Sequence, residues 1–328
     1  MEKQKYGILL PNFGEHASVE KLVEGTKKAE KYGIDSVWIR DHLIFQPHGM
    51  EGQDTTHVDT FAVLAGLATV TKKIELGTAV AIPVRHPLHL AHQFASLDWM
   101  AGGRTICGIG AGNFKHEFDA IEFSPGYENR KGVVRENVDI LRAAWTEDIF
   151  SHHGDVFNFD DVWISPKPVK DIPIWYGGST PLAVSWAAEF CDGWLPGRIN
   201  MPTFVKAIAK LEREAKEHGR PRPTVGAVPI TSPDEDRQKA LDSSNIDGLL
   251  ASSNKRDRWV KPEGGKFTKV EDLEGVLLAG TPEDIVEGVE KFVDNGMNHL
   301  VFDLRMRFDD WDYCLDLLGQ DVLPNCPR

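Results

Sequence analysis

Short apolar runs and longer amphipathic segments alternate along the whole chain. YGILLP (6–11) reads as a strand. SVEKLVEGTKKAEKYG (18–33) reads as the helix after it, with Ser18 as N-cap and Gly33 as the C-terminal stop. The same pair then recurs. Further strands are predicted over 35–40, 74–82, 104–112, 172–178, 191–196, 223–230 and 298–304. Helices are predicted over 59–71, 87–103, 134–145, 181–190, 202–219, 281–296 and 309–322, the 281–296 helix opened by Thr281 as N-cap and Pro282 at N1. The strands are near-continuous apolar runs, as parallel strands buried on both faces must be, and parallel neighbours need right-handed helical crossovers. Eight strands, each followed by a helix, predict an α/β fold: a (β/α)8 barrel, the TIM-barrel architecture, as a single domain over 1–328. An open, doubly wound sheet is the alternative. Two stretches exceed the repeat, 113–171 (with a hairpin expected around DVFNFDDVWIS, 155–165) and 231–280. Both follow strands, so both are expected as insertions over the C-terminal face.

In such barrels the chemistry sits at the C-terminal strand ends. The second strand, SVWI, runs directly into Arg40, Asp41 and His42. Histidine suits proton transfer near neutral pH, and a carboxylate nearby can orient it or raise its pKa. Adjacent strand residues point to opposite faces, so Asp41 need not touch His42; a capped strand end followed by a wet loop accounts for the triplet equally well. After the fifth strand come Gly177, Gly178, Ser179 and Thr180. The glycines allow close approach of a ligand, and the Ser-Thr pair can cap the next helix at an end that favours an anion. A plain tight turn is the bland reading. GIGAG (108–112) lacks the third glycine of a dinucleotide fingerprint, since position 113 is Asn, and no GK[ST] is present. His86, His89 and His92 diverge around their helix, and there is no HExxH, so no metal site is expected.

Composition narrows the partners. The net charge is −13, from 37 basic and 50 acidic residues, with the basic side chains scattered along the chain. Nucleic acid and anionic membrane are therefore not expected as partners, and a small-molecule substrate is. No apolar run reaches the ~18 residues of a membrane span. The four cysteines show no CxxC spacing, and Cys107 and Cys191 abut apolar strands, as buried thiols in a reducing, cytoplasmic setting would.

The blocks AEKYGIDSVWIRDHL, IELGTAVAIPVRHPLHLAHQFASLDWMAGGRTICGIGAG, IPIWYGGSTPLAVSWAAEFCDGW and GMNHLVFDL resemble the bacterial luciferase-like family of flavin and deazaflavin oxidoreductases, nearly end to end. The Asp-His pair and the NHLVF strand lean to its coenzyme F420-dependent, glucose-6-phosphate dehydrogenase-like branch. The resemblance implies a dimeric barrel with the cofactor ring in its mouth, F420 or alternatively FMN. It implies that His42 is the catalytic acid–base and Asp41 a cofactor contact. Ala79 and Val80 match a bulge with a non-prolyl cis peptide behind the ring. Ala111, Gly112 and His116 match cofactor-contacting positions, and Gly177 and Gly178, with Ser179 and Thr180 beside them, match the segment that receives the cofactor's tail. There are departures. Where the sugar-phosphate dehydrogenases carry a proton-donating Glu, this chain has Asn113, which is carried as the candidate catalytic position; Glu117 matches a different family Glu. Segment 270–280 has no Arg or Lys to clamp a phosphate. The expected activity is hydride transfer between F420 and a small, non-phosphorylated alcohol, ketone or enone, in an apolar pocket to which Phe114, Trp163, Trp259 and Phe267 contribute. A reduced-FMN monooxygenase and a non-catalytic flavin-binding protein are the alternatives.

Overall fold

The computed structural model describes residues 3–47, 51–124 and 126–328. Twelve strands and eleven α-helices lie among these residues. Eight strands form a closed parallel barrel: β1 (Lys5–Leu9), β2 (Ser36–Ile39), β3 (Glu75–Thr78), β4 (Thr105–Ile109), β7 (Ile174–Gly177), β8 (Gly193–Leu195), β9 (Thr224–Ala227) and β12 (His299–Phe302), with β12 closing on β1. Every one of the eight predicted strands is a barrel strand. The covering helices are α1 (Val19–Tyr32), α2 (Thr60–Val70), α3 (Pro87–Ala101), α5 (Arg130–Thr146), α6 (Pro181–Phe190), α7 (Met201–Glu217), α10 (Pro282–Asp294) and α11 (Trp311–Leu317). Ser18 caps α1 by accepting from Lys21 N, and Gly33 ends it in the left-handed conformation at φ 80°.

The barrel interior is filled by large side chains laid over bare backbone. The Trp38 and Trp175 rings lie 5.4 Å apart, and His299 packs edge-on against both. A Cβ on Gly77 would come within 2.6 Å of the Trp38 ring, so the glycine is there to make room for the indole. His299 is fully buried, bonded to Ser36 Oγ at 2.7 Å, and its burial pushes its pKa down to about 3, so it sits neutral in the floor.

The two over-long segments hold additional structure. Within 113–171, α4 (Lys115–Ala120) precedes α5, and a hairpin follows it, of β5 (Phe150–His153) and β6 (Asn158–Val162). The hairpin begins earlier than its apolar residues indicate, because the Glu136 carboxylate caps Val156 N and Phe157 N and so fixes the turn there. Within 231–280, β10 (Ile230–Pro233) pairs in parallel with β11 (Leu277–Gly280), and α8 (Arg237–Asp242) and α9 (Ile246–Asn254) lie between them. The predicted strand 223–230 is thus split. Pro229 cannot donate to a ladder, and beyond it Ile230 leaves the barrel to pair with Leu277. The predicted last helix stops at Leu317 and continues as a π turn over Leu318–Val322. All four cysteines are buried and unpaired. No helix of the described residues is long and apolar enough to cross a membrane.

Candidate active site

The triplet after β2 sends its side chains to three different partners. Strand alternation places Arg40 and His42 on one side and Asp41 on the other. Asp41 is buried, and both its oxygens are taken. Arg85 binds it in bidentate fashion at 2.6 and 2.9 Å, Ile82 N donates at 3.0 Å and Thr60 Oγ1 at 3.0 Å. Burial works against the Arg85 charge, but Asp41 more than compensates and raises its pKa. Asp41 therefore holds Ile82, two residues beyond the Ala79-Val80 peptide bond, which is cis.

His42 faces the opposite way. Its Nδ1 lies 3.3 Å from Glu117 Oε2 and its Nε2 3.3 Å from Arg40 Nη2. A carboxylate only accepts and a guanidinium only donates, so the proton resides on Nδ1 and the lone pair on Nε2. Glu117 lies on α4 with its side chain only 1% exposed. Its other oxygen accepts from Leu43 N at 2.8 Å and Ile44 N at 3.2 Å. Burial alone would raise its pKa, but the bonds from His42 and the two backbone N–H groups outweigh it and hold the carboxyl below the usual range. The His42 ring packs between Phe45, Phe114 and His57, each with its centroid 5.4 Å away. His57 is kept neutral, its pKa pushed down to about 4 by burial and by the neighbouring His42.

A lowered folded-state pKa fixes the sign of a pH effect. The ionised Glu117 contributes its stabilisation in full above the unfolded-state value near ~4.3 and loses it as pH falls through the lower folded value. Glu117→Gln should therefore narrow the loss of Tm between neutral and acid pH relative to the native protein. Parallel acid limbs in the two melting curves would contradict this.

The remaining predicted positions lie at or near the C-terminal ends of the barrel strands. Ala79, Val80, Ala111, Gly112, Gly177 and Gly178 stay only partly buried although they crown a closed barrel, as does Val228 just past β9, which was not among the predicted positions. Val80 wedges between two strand ends: a Cβ on Gly110 or on Gly177 would come within 2.6 Å of its methyls. Gly110 and Gly177 thus make room for the Val80 side chain. Thr180 caps α6 by accepting from Ala183 N at 3.2 Å, with Ser179 beside it. His116 bonds Ile44 O through Nε2 at 2.9 Å and so ties α4 to the loop after β2. Asn113 is exposed, its carbonyl accepting from Tyr127 Oη at 2.8 Å. Glu117 is the carboxyl that reaches His42, a partnership the sequence reading left aside.

Two expectations need correction. Of the four aromatics assigned to the pocket, only Phe114 meets His42. Trp163 is 68% exposed on β6's far end, while Trp259 and Phe267 are buried against one another at 6.0 Å and anchor the second insertion. The basic residues are also less scattered in space than in sequence. Arg40 and Arg305 both bind Glu51, at 2.5 and 3.0 Å, and Arg305 also binds Asp303 at 2.6 Å. Arg198, three residues past β8, lies within electrostatic range of Arg305, Asp303 and Glu51.

The chain is similar over nearly its whole length to several known proteins. The chain is 27% identical over 319 residues to the F420-dependent glucose-6-phosphate dehydrogenase of Amycolatopsis mediterranei, covering 92% of this chain and 93% of that one. It is 26% identical to the 5,10-methylenetetrahydromethanopterin reductase of Methanopyrus kandleri, over 99% of both. Among solved structures, an F420-dependent secondary alcohol dehydrogenase in complex with an F420-acetone adduct superposes with TM-score 0.83 at 22% identity, over 99% of this chain and 100% of that one. The FMN-bound oxygenating constituent of 3,6-diketocamphane monooxygenase from Pseudomonas putida superposes with TM-score 0.79 at 18% identity, over 99% and 100%. The model of the luciferase-like monooxygenase family matches residues 5–299, and the chain belongs to that family.

Proposed function

We propose that this protein is a coenzyme F420-dependent oxidoreductase that moves a hydride between the deazaflavin and a small, non-phosphorylated alcohol, ketone or enone. The observation that carries this reading is the Glu117–His42 pair, which leaves the lone pair on Nε2 at the barrel mouth, where an Arg40 N–H meets it at 3.3 Å. The strand ends suit a flat ring: Ala79 and Val80 are apolar and partly exposed, and Ala111, Gly112, Gly177 and Gly178 carry almost no side chain. Ala79 and Val80 would lie behind the ring, and Gly177 to Thr180 would receive the tail. When bound, the deazaflavin supplies the carbon that accepts or gives up the hydride.

The chain's own residues handle the proton. His42 Nε2 takes the hydroxyl proton of an alcohol, or returns one in the reverse direction. Glu117 holds the ring in the tautomer that leaves Nε2 unprotonated and stabilises the imidazolium that forms. The Arg40 N–H group that meets Nε2 at 3.3 Å is placed to donate to the same substrate oxygen. Phe45 and Phe114 flank the ring and limit water around it.

The cofactor is tested by titrating apoprotein separately with F420 and with FMN, followed by fluorescence. Tighter binding of F420 is expected, in keeping with the curated relative named as F420-dependent. Selective binding of FMN would instead support a reduced-flavin monooxygenase on the same barrel, the reading to which the FMN-bound neighbour corresponds.

A further inference from the structure

A carboxylate only accepts and a guanidinium only donates, so a carboxylate set between two arginines holds both. Glu51 is such a group. It comes from the loop between β2 and α2, yet its side chain is only 7% exposed. One oxygen, Oε1, takes Arg40 Nη1 at 2.5 Å and Arg305 Nη1 at 3.0 Å. Arg305 is itself fixed by Asp303, which accepts from its Nε at 2.8 and 2.9 Å and from its Nη2 at 2.6 Å. The contacts thus run as one chain across the barrel mouth. They start at Asp303 and Arg305 past β12, pass through Glu51 and Arg40, and end on His42 Nε2 past β2.

Arg40 depends on this chain for its place. Its backbone carbonyl is held by Asn12 Nδ2 at 3.0 Å and Thr60 Oγ1 at 2.8 Å, but a long run of single bonds separates that anchor from the guanidinium. The guanidinium lies over the Phe13 ring, its Cζ 4.2 Å from the centroid, and Arg305 Cζ approaches the same ring at 6.0 Å. Two like charges on one ring repel, and Glu51 supplies the negative charge that both share. Burial and Arg305 pull the Arg40 pKa down to about 10, with Glu51 acting in the opposite sense, so Arg40 is charged at neutral pH. Glu51 takes one arm of the fork, Nη1, while the other, Nη2, meets His42.

That placement serves both protonation states of His42. While Nε2 carries its lone pair, it accepts from Arg40. Once Nε2 carries a proton it can no longer accept, and the Arg40 N–H needs another oxygen. In the reducing direction the carbonyl carbon takes the hydride, the C=O pair moves onto oxygen, and His42 gives that oxygen its proton. Arg40 donates to the same oxygen as its charge develops. We propose that Glu51 is a positioning residue: it holds the Arg40 guanidinium at His42 Nε2, and thereby on the substrate oxygen that His42 protonates. The proposal rests on the reading of His42 as the acid–base of hydride transfer.

The test pairs a variant that moves the carboxylate with one that removes its charge. Glu51→Asp keeps the charge between the arginines but draws it back by one methylene. Glu51→Gln keeps the length and loses the charge. The first readout is the nitrogen-15 resonance of His42 in the whole protein without cofactor, at a pH where imidazole is neutral. In both variants the Nε2 resonance should move to that of an imine nitrogen with no donor, while Nδ1, on Glu117, stays where it is. The second readout is turnover of a panel: butanone, cyclohexanone and cyclohexenone with reduced F420, and the matching alcohols with the oxidised form. Glu51→Asp should lower kcat about 10²-fold, the scale of a misplaced catalytic group, with KM and the F420 Kd little changed. Arg40→Ala should lower kcat by ~10²–10³. The double variant Arg40→Ala with Glu51→Asp should be no slower than Arg40→Ala alone, because Glu51 acts through Arg40. An Nε2 resonance unmoved in both Glu51 variants overturns the proposal. So does full kcat in Glu51→Asp, or a double variant in which the two losses add. Circular dichroism and Tm check the folds; unfolding of both Glu51 variants would make Glu51 a residue of the fold alone, and overturns it as well. The resonance needs neither cofactor nor turnover. A protein whose Nε2 bond breaks with Glu51 yet ignores F420 would therefore refute the proposed function and leave Glu51 as the group that places Arg40.

Discussion

His42→Ala is expected to lower kcat by ~10²–10⁴, the usual worth of general acid–base catalysis, with little change in the F420 Kd. The reason lies in how the lone pair is fixed. Glu117 accepts from Nδ1 and cannot donate, so Nε2 is held as the basic atom before any substrate arrives. Alanine removes both the base and the positive charge that would build up beside Glu117. His42→Gln is the useful companion, because it preserves a polar group of similar reach without a titratable proton. Its kcat should fall almost as far, and the low-pH limb of the kcat profile should disappear in both variants. Steady-state turnover with a substrate of the panel reads the result. Full kcat in either variant would show that proton transfer runs elsewhere.

Asp41→Ala is expected to cost about 3–5 kcal/mol of stability in the apoprotein, because it leaves Arg85 buried without its partner. The Arg85 side chain is only 12% exposed and spends two donors on Asp41. Ile82 N and Thr60 Oγ1 would lose an acceptor at the same time. Asp41→Ala with Arg85→Met should recover much of the loss, since removing both charges avoids the orphaned one. Thermal or denaturant unfolding without cofactor measures it. An apoprotein as stable as the native one, with only F420 binding impaired, would mean that Asp41 acts on the cofactor directly, as its match to the family indicates, and that its bonds within the protein carry little weight.

The barrel was legible because its determinants are local. Buried parallel strands must be apolar throughout, and VWI, LGT or HLVF show this in four residues or fewer. Helices α1, α6 and α10 announce themselves through Ser18, Thr180 and Thr281, whose side chains cap them as their positions imply. The site was half legible for the same reason: Asp41 and His42 stand at a strand end. Their partners do not share that advantage. Glu117 is 75 positions from His42, and Glu51 is 254 positions from Arg305, so no spacing rule connects them. The arginine cluster is assembled by three different strand ends, from β2, β8 and β12, and along the chain it looks like isolated charges. The aromatics of the insertions misled in the opposite direction. Trp259 and Phe267 look free in a polar stretch, yet that stretch closes on itself through β10 and β11 and needs them as its own small core.

The wedge of Val80 between Gly110 and Gly177 has an evolutionary consequence. Each glycine is barred from gaining even a methyl while the valine is in place, because the added carbon would lie 2.6 Å from it. Shortening Val80 first removes that bar at Gly110, and eases it at Gly177, where the Val80 Cβ still lies 3.3 Å away. The order of substitution therefore decides whether a lineage can cross: alanine at 110 is penalised on the present background and tolerated after Val80→Ala, and alanine at 177 meets a smaller penalty after it. Three strand ends that never meet in sequence are tied into one epistatic unit, and this part of the barrel mouth can be remodelled only as a set.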